Sequence, residues 1–71
     1  MTFPTLDVYV ITHHSSTQAP TFVDLRRDPE SAMRRATMDA GRPLAFEQTD
    51  QDTWQARGAN RRIYVVRRHA V

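Results

Sequence analysis

Only one stretch of this chain can be a helix, and the residues at its two ends say where it starts and stops. Asp28 offers a side-chain oxygen to cap free N–H groups, Pro29 suits the first helical position, and Glu30 favours the positive end of the helix dipole. From Pro29 to Ala40 a helical wheel gathers Pro29, Ala32, Met33, Ala36 and Ala40 on one side, with Arg34, Arg35 and Met38 opposite. Gly41 is the natural C-cap, and Pro43 prevents continuation. An inward face made mostly of alanine lets the helix lie close to a sheet while contributing little apolar area.

Everything else reads as strand and turn. Asp7 to His14 is β-branched and aromatic with apolar residues on both faces, which predicts an interior strand. Ser15 to Pro20 is turn-forming, and Thr21 to Arg27 predicts the returning strand of a hairpin. After the helix, Leu44 to Thr49 predicts a strand, Asp50 to Asp52 its turn, Thr53 to Arg57 the return, and Gly58 to Asn60 another turn. Arg61 to Ala70 is the longest strand candidate. The order β-β-α-β-β-β implies an α+β fold: a single antiparallel sheet of four to five strands with one helix packed on one face. The expected core is Val8 or Tyr9, Val10 or Ile11, Val23, Leu25, Ala32, Met33, Ala36, Leu44 or Phe46, Trp54, Ile63 and Val65. Met1 to Thr5 and the last residue or two should be loosely held.

At 71 residues the chain makes one domain and buries only about 60% of the surface its unfolded form exposes. With no cysteine it has neither disulfide staples nor thiolate metal ligands, so hydrophobic packing, alone or with a partner or a second copy, must hold it together. No apolar run approaches the length of a membrane span, and no signal-peptide plan opens the chain, so the expected location is the cytoplasm of a bacterial host cell. All ten basic residues are arginine, in the company of many Ala, Asp, Thr and Val, a bias typical of GC-rich coding DNA.

Catalysis and metal binding find little support. His13 and His14 are adjacent on a strand and must point to opposite faces, so they cannot readily chelate one ion, and His69 lies far off in sequence. A Ser/His hydrolase would need an oriented base, an oxyanion hole and a cleft that so small a core rarely holds. Glu47, Asp50 and Asp52 lack the glycine and distal glutamate of a calcium loop, and two glycines cannot build a phosphate-cradling loop. The expectation is no enzyme activity, no metal and no cofactor.

Charge placement is more informative. Residues 44 to 56 carry Glu47, Asp50 and Asp52 without a base, whereas residues 57 to 71 carry Arg57, Arg61, Arg62, Arg67 and Arg68 without an acid. Such polarity suits an acidic or phosphate-bearing partner, although the two runs can equally pair with each other. The sharpest candidate contacts are therefore Arg57, Arg61, Arg62, Arg67 and Arg68, then Arg34 and Arg35 on the outer helix face. Because strand dyads split between faces, a row of arginines could instead share a sheet face with Tyr9, Tyr64 or Trp54 and stack single-stranded nucleic acid. Against this, a small domain needs its aromatics for core area.

The opening VYVITHH, the strand before DPESAMRRA, the following LAFEQ, the DQDTWQAR hairpin and the closing strand resemble small phage-encoded proteins of β-β-α-β-β-β layout. Some of these are anti-CRISPR inhibitors of type I surveillance complexes. The resemblance covers most of the chain and rests on element order, the S-A-x-x-x-A helix and a tryptophan in the penultimate strand. It implies a non-catalytic inhibitor that occupies a nucleic-acid-binding surface on a host complex and blocks target DNA binding, with Cas subunits as partners; the chain itself is expected to be a monomer or homodimer. Direct nucleic-acid binding is the alternative, and no membrane partner is expected.

Overall fold

A computed structural model describes residues 6–16 and 18–70. The expectation of loose ends at Met1 to Thr5 and Val71 falls outside the described residues, although Ala70 is the last residue of a strand. The elements are β1 (Asp7–His14), β2 (Thr21–Arg26), α1 (Pro29–Ala40), β3 (Glu47–Asp50), β4 (Thr53–Arg57) and β5 (Ile63–Ala70), with a 3-10 turn at Ala59–Arg61. The strands form one antiparallel sheet in the order β2-β1-β5-β4-β3, and α1 lies across β2, β1 and β5. The fold class predicted from the element order is the one found, with five strands. No helix among the described residues is long and apolar enough to cross a membrane.

The helix forms where its end signals place it. The Asp28 carboxylate accepts from the Ser31 amide at 2.8 Å, and Gly41, at φ 70°, donates its N–H back to the carbonyls of Thr37 and Met38. Ala32 and Ala36 are fully buried against the sheet, while Arg34 and Met38 face away.

Because the helix brings only small side chains, the sheet supplies the large ones. Tyr9 and Ile11 of β1 stand beside Tyr64 and Val66 of β5, and Tyr64, Ile11 and Val66 are the largest fully buried side chains. Trp54 of β4 meets Tyr9 with ring centroids 6.0 Å apart. A bulge between Ile11 and Thr12 in the β1–β2 pairing leaves Val23 as the extra residue, and Val23 packs on the same core.

Two expectations require correction. Ile63 and Val65 were expected inside, but Tyr64 and Val66 occupy the core and Ile63 and Val65 lie on the opposite face. Leu25 likewise stands on that face, 46% exposed. β5 is apolar on both sides, and the face with the larger residues is the one that fills the space left by an alanine-lined helix. The strand predicted at Leu44 to Thr49 begins only at Glu47. Leu44 and Phe46 reach the core as irregular chain that carries the backbone from the helix end to the far sheet edge.

Candidate functional site

The face of the sheet away from the helix carries an aliphatic centre. The opposite-strand pairs Val10–Leu25, Thr12–Phe22, Thr12–Val65, Val10–Arg67 and His14–Ile63 all lie on it. Tyr9 and Tyr64 lie on the other face, 9% and 1% exposed. No base can stack on rings covered by a helix, so stacking on Tyr9 and Tyr64 is ruled out as a mode of nucleic-acid binding by this fold.

Sheet register separates the arginines that sequence grouped together. Arg68, on the helix side beside Tyr9, forms ion pairs with Asp52 and with Asp7, the latter at 3.9 Å, and its hydrogen bond to Asp52 raises its pKa. Arg35 reaches from the helix to Asp24 at 3.2 Å, and Arg26 meets the same carboxylate at 3.1 Å. Asp24 is held below the ordinary value of 3.8, first by the Leu25 amide and then by these two guanidiniums. Arg35 and Arg68 are thereby committed within the fold, and Arg67 lies on the open face, where, after hydrogen bonds from the Asp52 amide and Thr53, its charge helps hold the Asp50 carboxyl below its ordinary value. Arg34 is exposed on the helix, near Arg26 and Met38.

Arg57, Arg61 and Arg62 are brought together. They line one hollow of about 460 Å³ with Ser16, Gly58 and Ile63, and none of the three has a carboxylate partner among the described residues. Glu47 lines a neighbouring hollow with Arg57 without forming an ion pair.

The turn that presents them is tightly built. Gly58 donates to the Arg62 carbonyl at 2.7 Å, and Arg62 donates to the Ala59 carbonyl at 3.1 Å. A Cβ at Gly58 would stand 3.0 Å from Cε2 of Tyr64, so glycine is what allows the turn to settle on that ring. The Tyr64 hydroxyl in turn donates to Asp39 on the helix at 2.7 Å.

Asn60 and Arg61 follow one another in the left-handed region, at φ 59° and 61°. Asparagine tolerates this conformation and arginine does not, at a cost of order 1 kcal/mol or more. Arg61→Gly is therefore expected to leave stability unchanged or raise it by up to about 1 kcal/mol, since glycine accepts the conformation. Arg57→Gly, at the end of β4, should lower stability by up to about 1 kcal/mol. Urea unfolding of the two variants compares these directly, and a larger loss at position 61 would refute the strain.

Burial, and then the hydrogen bond to Asp39, raise the Tyr64 pKa above 10.0 against a smaller lowering by the Arg62 guanidinium, which also reaches the Tyr64 hydroxyl. The folded state therefore holds this proton more tightly than the unfolded chain. The resulting stability is complete below pH 10 and is lost as pH rises through the folded-state value. Thermal melts should show Tm falling above about pH 10, with a shallower fall in Tyr64→Phe. An identical alkaline fall in both proteins would contradict this.

Sequence reasoning named the arginines of this site but missed the hollow around them. The one local signal was the Gly58-Ala59-Asn60 turn, which announces a change of direction without showing that three guanidiniums border it. His13 packs 5.5 Å from the Tyr64 ring on the helix side, while His14 lies on the open face. No group of three or more His, Cys, Asp or Glu that could hold a metal occurs among the described residues. No protein-family model, curated protein or solved structure matches this chain.

Proposed function

We propose that this chain is a non-enzymatic phage or mobile-element protein that inhibits a host nucleic-acid-handling complex, using the turn of Arg57, Arg61 and Arg62 as its contact surface. One observation carries this reading: three guanidiniums that have no carboxylate partner among the described residues border a single hollow on a tightly hydrogen-bonded turn. Guanidinium forks take carboxylate or phosphate oxygens two at a time, and a rigid turn loses less freedom on binding than a mobile arm. The sequence resemblance makes a type I CRISPR surveillance complex the first partner to test, with target DNA binding blocked by occupation of its surface.

The test is capture from host lysate with nuclease treatment, which removes partners bridged only by nucleic acid. The expected result is retention of Cas subunits after nuclease, and their loss when Arg57, Arg61 and Arg62 are all changed to Glu. Charge reversal at Arg34 should have little effect, as expected of a residue away from the centre of the contact. Failure to recover any protein after nuclease would refute the inhibitor reading.

Direct nucleic-acid binding is favoured by the same three arginines, now as phosphate ligands without aromatic stacking. In that case affinity for a single strand should fall with salt at a log–log slope of about −2, as three phosphate contacts imply. Co-purifying nucleic acid with that slope, and no protein partner, would put this reading in place of the first.

A further inference from the structure

We infer that the sheet face opposite α1 seats one acidic amphipathic helix of the partner protein, its carboxylates on Arg57 and Arg67 and its apolar stripe between them. The inference rests on the reading that this chain docks on a host protein through its arginine turn, and it names the rest of that contact. The turn is continuous with the face. The hollow bordered by Arg61 and Arg62 shares Arg57 and Ile63 with a second hollow of about 420 Å³. That one shares Gln55 with a third, of about 310 Å³, lined also by Arg67 and His69.

Floor and rim differ in chemistry. Val10, Val65 and Ile63, half-buried on the two interior strands, form an aliphatic strip, and Leu25 extends it onto β2. Arg57, Gln55 and Arg67 stand exposed beside the strip. An apolar centre within a polar, arginine-bearing rim is the anatomy of a protein contact. A nucleic-acid strand fits it less well. Glu47, opposite Gln55 on the same face, would repel phosphates along the path. Among the described residues Phe22, on an edge strand, is the one exposed Phe, Tyr or Trp on which a base could stack there.

Backbone hydrogen bonding selects a helix over an extended segment. An extended chain laid across a sheet face finds no main-chain partners, whereas a helix satisfies its own N–H and C=O groups. In the β4–β5 register Arg57 lies opposite Ile63 and Thr53 opposite Arg67, which puts the two arginines four residues apart, about 13 Å along the strands. That span is about eight or nine residues of helix, so acids spaced by a little over two turns meet both guanidiniums. Apolar residues on the same helix face then lie on Val10 and Val65. Arg67 is already felt by Asp50, so a bare anion gathers at the turn, and Arg67 is met by a segment that also covers the aliphatic strip.

The test is selection of peptides of about 14 residues from a random phage-displayed library on the immobilised full chain. Enriched peptides are then made free, and their Kd and helicity measured. The expected peptides gain helix on binding and carry Leu, Ile or Phe at helical spacing between acidic residues. Arg67→Glu, at an exposed position, should weaken them by at least about tenfold, as should Val65→Asp. If Val65→Asp loses the wild-type circular dichroism, Leu25→Asp, also at an exposed position, takes its place. Enrichment of no peptide, of peptides without acids, or of peptides indifferent to both variants overturns the proposal. Tighter binding of a short oligothymidylate, lost in the same variants, overturns it in favour of nucleic acid. The underlying reading fails separately. Undiminished capture of the host partner by Arg67→Glu and by the folded strip variant overturns the helix site and leaves the arginine turn standing. Selected acidic helices that depend on Arg67, with no host protein captured, support the site and refute the inhibitor reading.

Discussion

Tyr64→Ala is expected to leave the chain largely unfolded in mild denaturant and to lose about 3 to 5 kcal/mol of stability. Tyr64 is 1% exposed and is one of the three largest fully buried side chains, set between the helix and the central strand of the sheet. A domain of this length has on the order of 4 to 10 kcal/mol in all, so the loss takes a large share of it. The ring also floors the arginine turn through its contact with Gly58 and ties the sheet to the helix through Asp39. Tyr64→Phe keeps the ring and loses only the hydrogen bond, so it should cost about 1 kcal/mol. Urea titrations of the two variants separate ring from hydroxyl. A Tyr64→Ala protein within about 1 kcal/mol of the parent would show that the helix does not rest on this ring.

Ala36→Leu is expected to cost about 1 to 3 kcal/mol even though leucine is nearly as good a helix former as alanine. Ala36 has no exposed surface and sits where α1 meets the large side chains of the sheet. Three added carbons can be accommodated only by lifting the helix or forcing Ile11, Tyr64 or Val66 from their rotamers. Met38, 75% exposed on the outer side of the same helix, is the control: Met38→Leu should change stability by no more than about 0.5 kcal/mol. Thermal or urea unfolding of both variants distinguishes crowding from propensity, and equal effects at the two positions would contradict close helix–sheet packing.

The parts of this fold that could be read from sequence are those specified by neighbouring residues. Asp28, Pro29 and Gly41 bound α1 through local hydrogen bonds and backbone preferences, and β1 and β4 coincide with their β-branched and aromatic runs. The parts that could not be read depend on residues far apart. Leu44 and Phe46 alternate as a strand would, yet they serve as cover for the core because the chain must travel from the helix end to the opposite sheet edge. In β5, Ile63 and Val65 are as apolar as Tyr64 and Val66, so periodicity alone could not choose between the faces.

The candidate site follows the same division. Its arginines were visible as a basic run, but their pairing was decided by register. Arg68 lands beside Asp7 and Asp52 and is neutralised, whereas Arg57, Arg61 and Arg62 meet no carboxylate among the described residues. Aromatic placement likewise required the sheet, since only the β1–β5 pairing puts Tyr9 and Tyr64 on the helix side.

The arginine turn as an anion-binding surface is tested most directly by following the Nε–Hε signals of all ten arginines by NMR as a tetraglutamate peptide is added. The predicted result is saturable shifts at Arg57, Arg61 and Arg62, abolished in the triple Glu variant, while Arg26, Arg35 and Arg68 stay fixed in their internal pairs. Shifts spread evenly over the exposed arginines, or centred on Arg34 or Arg67, would contradict the account.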